Sequence, residues 1–353
     1  MVEILDDPVK LKGIDKSGML SKAYSLPDML EEGWKLAQGS ALKDLEGFEN
    51  IIISGMGGSA MGGDILRSAF GEGLKIPVFV NRSYDVPGFL SDKTLFIAVS
   101  YSGNTEETLS AFNKAVNMKC KLASISSGGK LEALSKDLGI PHLKVPSGFP
   151  PRAALGYILP SLLYVLAMTK LVDGIEESLL ESVKLLRILR DKYSINEAAK
   201  SNEVKQMARR ILGKVPLIMS CVETTSSAGF RWKTQLSENG KVTSLHIDFP
   251  ELNHNDLVNI SFLKSGKHVF YAIILRDKFD SERMKKRIEI TKSLVSGNLG
   301  GFNEVWTQGN SKLARILSLI MYGDFLSVYL AVLQDIDPTP VSVIEQLKKE
   351  LSR

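Results

Sequence analysis

Asn50-Ile51-Ile52-Ile53-Ser54-Gly55-Met56-Gly57-Gly58-Ser59-Ala60-Met61-Gly62-Gly63-Asp64 decides the fold of the chain: an apolar run ends in a glycine-rich turn, and small residues then open a helix. A short apolar run closed by glycines reads as a buried strand. Glycine lets the backbone come close to a ligand, and the free N–H groups of a helix start attract anions. The segment is therefore an anion site on physical grounds, with Gly57 and Gly58 offering backbone and Ser59 a hydroxyl. The plainer alternative is a tight strand-to-helix turn with Ser59 as the N-cap.

A second strand, Leu95-Phe96-Ile97-Ala98-Val99, runs into Ser100-Tyr101-Ser102-Gly103-Asn104-Thr105-Glu106-Glu107-Thr108. One N-cap needs one hydroxyl. Ser100, Ser102 and Thr105 together with Ser59 can donate several hydrogen bonds to a single phosphate, aided by two helix dipoles. The competing motif is the dinucleotide fingerprint, which Gly55-x-Gly57-x-x-Ala60 matches with alanine last. After the next strand, Val78-Phe79-Val80, that motif calls for a ribose-binding acid, and the chain gives Asn81-Arg82-Ser83. Only an NADP-type role for Arg82 would rescue it, and a second hydroxyl-rich loop favours one compact phosphate.

Outward from these loops, apolar strands alternate with helical segments from Asn50 to about Val145, with a further strand at Leu122–Ile125. Continuous apolar strands separated by helices mean a parallel sheet covered on both faces. A second alternation follows: strands at Val215–Met219, Val242–Ile247 and Val269–Leu275, helices near 226–239 and 281–295, and a long last helix. The expected fold is α/β with two parallel, flavodoxin-like sheets flanked by helices. The expected division is residues 1–150 with the phosphate loops, connecting helices over 151–212, and 213–353 as the second half.

The 353 residues are 44% apolar and 24% charged, an ordinary globular composition. A formal charge of +4 is spread along the chain without a basic block, so no nucleic-acid partner is indicated. Cys120 and Cys221 stand about a hundred residues apart in apolar contexts, against a disulfide framework or zinc site and in favour of a cytoplasmic location. Acids at the start of the chain argue against an export signal. The uncharged stretch from Arg152 to Lys170 is interrupted by Pro160 and reads as a core helix, not a membrane span.

The two loops, Gly-Met-Gly-Gly-Ser-Ala and Ser-Tyr-Ser-Gly-Asn-Thr-Glu-Glu-Thr, resemble the sugar isomerase (SIS) domain. Four later motifs narrow the resemblance: Pro150-Pro151-Arg152-Ala153-Ala154-Leu155-Gly156, Ser237-Glu238-Asn239-Gly240-Lys241, Pro250-Glu251-Leu252-Asn253-His254-Asn255, and Asp337-Pro338-x-Pro340-Val341-x-x-Ile344-x-x-Leu347-Lys348. Together they are similar to bifunctional phosphoglucose/phosphomannose isomerases over essentially the whole chain. The resemblance implies interconversion of glucose 6-phosphate and mannose 6-phosphate with fructose 6-phosphate, without metal or cofactor. It implies a homodimer with a site at subdomain and subunit boundaries, to which the neighbouring subunit contributes the histidine. It assigns phosphate binding to Ser59, Ser100, Ser102 and Thr105, and catalysis to Arg152, Glu238, His254 and Lys348. Another SIS isomerase acting on an amino-sugar or heptose phosphate, or a non-catalytic sugar-phosphate sensor, are the alternatives.

The residues themselves fit that chemistry. Moving a proton between C1 and C2 through an enediolate requires a base, a group to hold the oxyanion, and an acid/base for ring opening. Glu238 ends a predicted helix just before Gly240, a place where the dipole disfavours a carboxylate; a surface glutamate paired with Lys241 is the alternative. Arg152 opens an apolar helix, where a cation is a poor choice for stability, so it is either a ligand group or a snorkelling arginine. His254 falls in a polar loop without a second histidine at ligand spacing, which separates the chain from zinc-dependent isomerases. On the last helix, Lys348 borders the stripe Val341, Ile344, Leu347 and Leu351, whereas Lys349 points away. Thr339, between two prolines, is a candidate for admitting the mannose epimer.

Overall fold

The computed structural model describes residues 4–40, 42, 45–263 and 269–351. In chain order, helices α1 (Pro8–Ile14), α2 (Met19–Tyr24) and α3 (Leu26–Gln38) lead into β1 (Asn50–Ser54), α4 (Gly57–Phe70), β2 (Val78–Asn81) and β3 (Thr94–Val99). Then come α5 (Glu106–Asn117), β4 (Lys121–Ser126), α6 (Gly129–Asp137), β5 (His142–Lys144), α7 (Leu155–Met168), α8 (Ile175–Tyr193) and α9 (Glu203–Ile211). The rest is β6 (Val215–Cys221), α10 (Ser226–Glu238), β7 (Leu245–Phe249), α11 (Asp256–Ser261), β8 (Phe270–Arg276), α12 (Glu282–Val295), β9 (Phe302–Trp306), α13 (Lys312–Leu333) and α14 (Ser342–Leu351).

The first sheet has the order β2-β1-β3-β4-β5 and the second β7-β6-β8-β9, with every pairing parallel. Both orders are flavodoxin-like, and in such sheets ligands bind beyond the strand C-termini where the order reverses, here between β1 and β3. The central strands are covered on both faces: Ile51, Ile52 and Ile53 are buried, as are Leu95 through Val99. Each buried isoleucine contributes about 1.5–3 kcal/mol relative to exposure. This burial is why they read as an unbroken apolar run.

The principal strands and helices fall where the sequence reading puts them, and the main differences are these. The edge strands β5 and β9 are additions to it, because each is short and only partly apolar. The strand expected over Val242–Ile247 runs over Leu245–Phe249 instead. The compact units also differ from divisions at 150 and 212: one is Ser25–Arg187 with Gln308–Leu317 and holds the first sheet, the other is Met1–Tyr24, Ile188–Thr307 and Ser318–Arg353 and holds the second. Helix α7 is apolar almost all round and needs cover, which α3 and α4 give it, so it belongs with the first sheet. The start of the chain is tied into the other unit by Lys205, whose ammonium, fully buried, donates to the carbonyls of Leu5 (2.7 Å), Ile195 (3.1 Å) and Glu197 (2.7 Å).

Within the stretch from Arg152 to Lys170 lies α7, whose 14 residues are too few to cross a bilayer. Helix α13 is long and apolar enough by composition, yet 94% of that window is buried inside the protein, as in a core helix.

Candidate functional site

The first-sheet unit brings both glycine-hydroxyl loops to the β1/β3 switch point. Helix α4 starts at Gly57 with Met56 as N-cap, so the plainer alternative, Ser59 as the cap, does not hold. Ser59 is the third helical residue, and its buried hydroxyl accepts the Tyr101 backbone N–H at 3.1 Å, a bond from one loop to the other. In the second loop Thr105 is the N-cap of α5 but makes no side-chain cap bond; its hydroxyl accepts from Ser100 Oγ at 2.8 Å. Ser102 is exposed. The hydroxyls of Ser59, Ser100 and Thr105 are thus tied together at two helix starts beside a glycine backbone, with Ser102 on the same loop, a set of groups suited to an anion. Arg82, on which a dinucleotide role depended, is ion-paired with Asp64 of α4.

Arg152 joins this cluster through a glycine. It lies in the 3-10 turn Pro151–Ala153 and is buried, at 4% exposure. A Cβ on Gly58 would fall 2.8 Å from the Pro151 carbonyl oxygen and 3.2 Å from Arg152 Cα, so only glycine lets the Arg152 turn lie directly against the loop after β1. Tyr101 holds the same approach from the other side. Its phenol donates to the Pro146 carbonyl (2.9 Å) and accepts from the Phe149 N–H (3.0 Å). Burial raises the phenol pKa above its ordinary value.

Gly103 is the point where the second loop meets the turn before α6. Its φ is +69°, and a Cβ would sit 1.7 Å from the Gly128 carbonyl oxygen. Gly103→Ala is expected to destabilise the protein by at least about 2 kcal/mol, since left-handed backbone alone costs about 1–2 kcal/mol for a non-glycine residue and the clash adds to it. Urea unfolding measures this, and an unchanged midpoint would contradict the geometry.

The second-sheet unit carries Glu238, His254, Thr339 and Lys348. Its own switch point is filled differently. The hydroxyls of Ser220 and Ser226 donate to the Asp248 carboxylate (2.5 and 2.7 Å), and Thr224 donates to Asp280 (2.8 Å). Burial opposes ionisation of Asp248, but its contact with His246 and these hydroxyls leave its pKa below the ordinary carboxylate value. At this sheet, carboxylates of the protein itself accept the hydroxyl donors.

Glu238 is the last residue of α10, half-buried, with Asn239 as C-cap. The helix beneath it is held rigidly. Arg231 forms a buried two-pronged pair with Asp324 (2.9 and 2.7 Å), Gln235 donates to the same carboxylate (2.9 Å), Trp232 donates to the Leu319 carbonyl (2.7 Å), and Asn239 to Ser327 Oγ (3.0 Å). His254 is exposed and caps the 3-10 turn Glu251–Asn253; Asn253 fastens that turn to α12 through Thr291 (2.7 Å) and Arg287 (3.2 Å). Lys348 lies on α14, none of whose residues is buried. Val341 precedes that helix and Ile344, Leu347 and Leu351 are exposed, so the stripe covers nothing in its own unit, and burial does not separate Lys348 from Lys349. Among the described residues no group of three or more His, Cys, Asp or Glu side chains converges as a metal-ligand set; His268 lies outside the described residues.

Tyr101 and Lys241 are polar residues whose roles the sequence does not announce. Tyr101 lies inside the second loop motif, but its partners stand 45 and 48 residues further on. Lys241 reads from the sequence only as a salt-bridge partner for Glu238. Its ammonium is found on backbone carbonyls of Glu238, Pro338 and Pro340.

Residues 45–136 match the SIS domain family, and residues 200–351 match the family of bacterial phospho-glucose isomerase C-terminal SIS domains. A bifunctional phosphoglucose/phosphomannose isomerase of Caldicellulosiruptor bescii is 38% identical over 95% of this chain and 99% of its own length. A D-glucosamine-6-phosphate 4-epimerase of Sulfolobus acidocaldarius is 28% identical over 90% of this chain and 95% of its own. Among solved structures, a hypothetical protein of Thermus thermophilus superposes with a TM-score of 0.73 at 18% identity, covering 97% of this chain and 94% of that one, which shows a shared fold. With the hydroxyl loops at the switch point and an identity of this size along nearly its whole length, the chain belongs to the bifunctional phosphoglucose/phosphomannose isomerase family.

Proposed function

We propose that the protein is an aldose-ketose isomerase that interconverts glucose 6-phosphate and mannose 6-phosphate with fructose 6-phosphate through an enediolate. The observation that carries the proposal is the junction at Gly58, where the backbone of the turn that holds the buried Arg152 packs against the glycine-hydroxyl loop; it supports a site that joins an anchor for the 6-phosphate with a cation for the developing oxyanion. Gly57, Gly58, Ser59, Ser100, Ser102 and Thr105 hold the phosphate. Glu238 moves the proton between C1 and C2, Arg152 stabilises the enediolate oxygen, and His254, supplied by the second subunit of a homodimer, exchanges the proton at the ring oxygen. Lys348 adds a cation, and Thr339 leaves room for the C2 epimer. Buried free thiols at Cys120 and Cys221 support a reducing, cytoplasmic setting.

Coupled assays test this directly. Fructose 6-phosphate is expected to form from both glucose 6-phosphate and mannose 6-phosphate, with full rates retained in EDTA. Loss of activity in the chelator that returns on adding a divalent metal would overturn the metal-free mechanism. The epimerase relative favours a second reading, chemistry on an amino-sugar phosphate; turnover of glucosamine 6-phosphate without turnover of either neutral hexose phosphate would establish it in place of the first.

A further inference from the structure

Lys241 joins two stretches that the sequence keeps far apart. It follows the helix end that carries Glu238, and its ammonium donates to the carbonyls of Glu238, of Pro338 (3.3 Å) and of Pro340 (2.6 Å), the last two being 97 and 99 residues away. A second tie lies beside it, from Gln334 Nε2 to the Gly240 carbonyl at 2.8 Å. Pro338 and Pro340 have no N–H to offer. The Thr339 N–H is occupied by Asp337 Oδ1 at 3.0 Å. The carbonyls are thus the handles by which this turn can be gripped, and a lysine with three donors and a flexible stem suits them.

The backbone gives an independent handle on the role of the side chain. Lys241 has φ +52°, a left-handed conformation that glycine adopts without cost. Lys119 and Lys170 take the same conformation, so the conformation by itself does not mark a site. What distinguishes Lys241 is that its side chain bridges two family motifs while being exposed, so that it supports no core packing.

We propose that Lys241 is a positioning residue for the isomerisation: its ammonium clasps the turn bearing Thr339, which leads into the helix of Lys348, onto the helix end bearing Glu238. The proposal rests on Glu238 being the base. Without the clasp the Thr339 turn and the carboxylate lose their mutual register, and a displacement of about 1 Å between catalytic groups can cost on the order of a hundredfold in rate. The phosphate loops belong to the other compact unit, so anchoring of the substrate is left intact.

Lys241→Gly separates this role from a structural one, because glycine suits the φ of the site and the exposed side chain it removes carries the ammonium. The expected result is a fall in kcat of about tenfold or more, a KM for fructose 6-phosphate within about twofold of the parent, and an unchanged or higher Tm. Lys241→Arg, which can still donate to several carbonyls, is expected to recover most of the lost kcat. A parent-like kcat in Lys241→Gly overturns the clasp, provided that Glu238→Gln is inactive in the same preparation. A fall in kcat that Arg does not repair, or that tracks a fall in Tm, overturns it as well. If Glu238→Gln is itself fully active, it is the assignment of the base that fails, and the role of Lys241 with it.

Discussion

Glu238→Gln is expected to lower kcat in both directions by about 10²–10⁴-fold, the usual worth of a positioned general base, while KM for fructose 6-phosphate changes little. The amide keeps the shape of the side chain and its place at the end of α10 but cannot accept the C1 or C2 proton. The helix under it stays fixed, because the bonds of Arg231, Gln235, Trp232 and Asn239 to α13 do not involve the Glu238 side chain. Exchange of substrate hydrogen into deuterated water should stop together with turnover. A variant that isomerises at the parental rate, folded to the same Tm, would remove Glu238 from the mechanism.

Arg152→Met should lower kcat by about 10²–10³-fold, the cost found when one oxyanion donor is deleted. Methionine fills much of the buried volume of the arginine without its charge, so the fold tolerates the change better than it would a truncation. The hydroxyls proposed to bind phosphate are on other loops, and the affinity for inorganic phosphate as a competitive inhibitor should therefore remain within a few fold. The two measurements together locate the defect. Loss of phosphate affinity with unchanged kcat would make Arg152 part of the anchor instead of the enediolate site.

Much of this protein is legible in its amino-acid chain alone. Ile51-Ile52-Ile53 and Leu95 through Val99 read as buried parallel strands because each lies on both-face-covered sheet interior, where apolar character is continuous. The loops after them read as an anion site because glycine permissiveness and free helix N–H groups are local properties, settled within a few residues of chain. Motifs at Arg152, Glu238, His254 and Lys348 are nameable from resemblance, and the structure gives each a local setting. It rules out the alternative of Ser59 as the cap of α4, which is Met56, and shows Ile344, Leu347 and Leu351 of α14 exposed.

What the sequence by itself determined is the set of elements and their order: apolar runs, their periods, the glycine turns and the hydroxyls that follow them. These depend on neighbours a few positions away, so the chain states them directly. Only the tertiary structure decided what Gly58 is for, since the backbone it admits belongs to Pro151 and Arg152. The same holds for Tyr101 reaching Pro146 and Phe149, for Lys205 gathering the start of the chain, and for Lys241 holding a turn almost a hundred residues on. Such contacts have no local signature: a buried or bridging side chain is committed by whichever carbonyls the packed fold brings within reach, and the free energy that selects them comes from packing at long sequence separation.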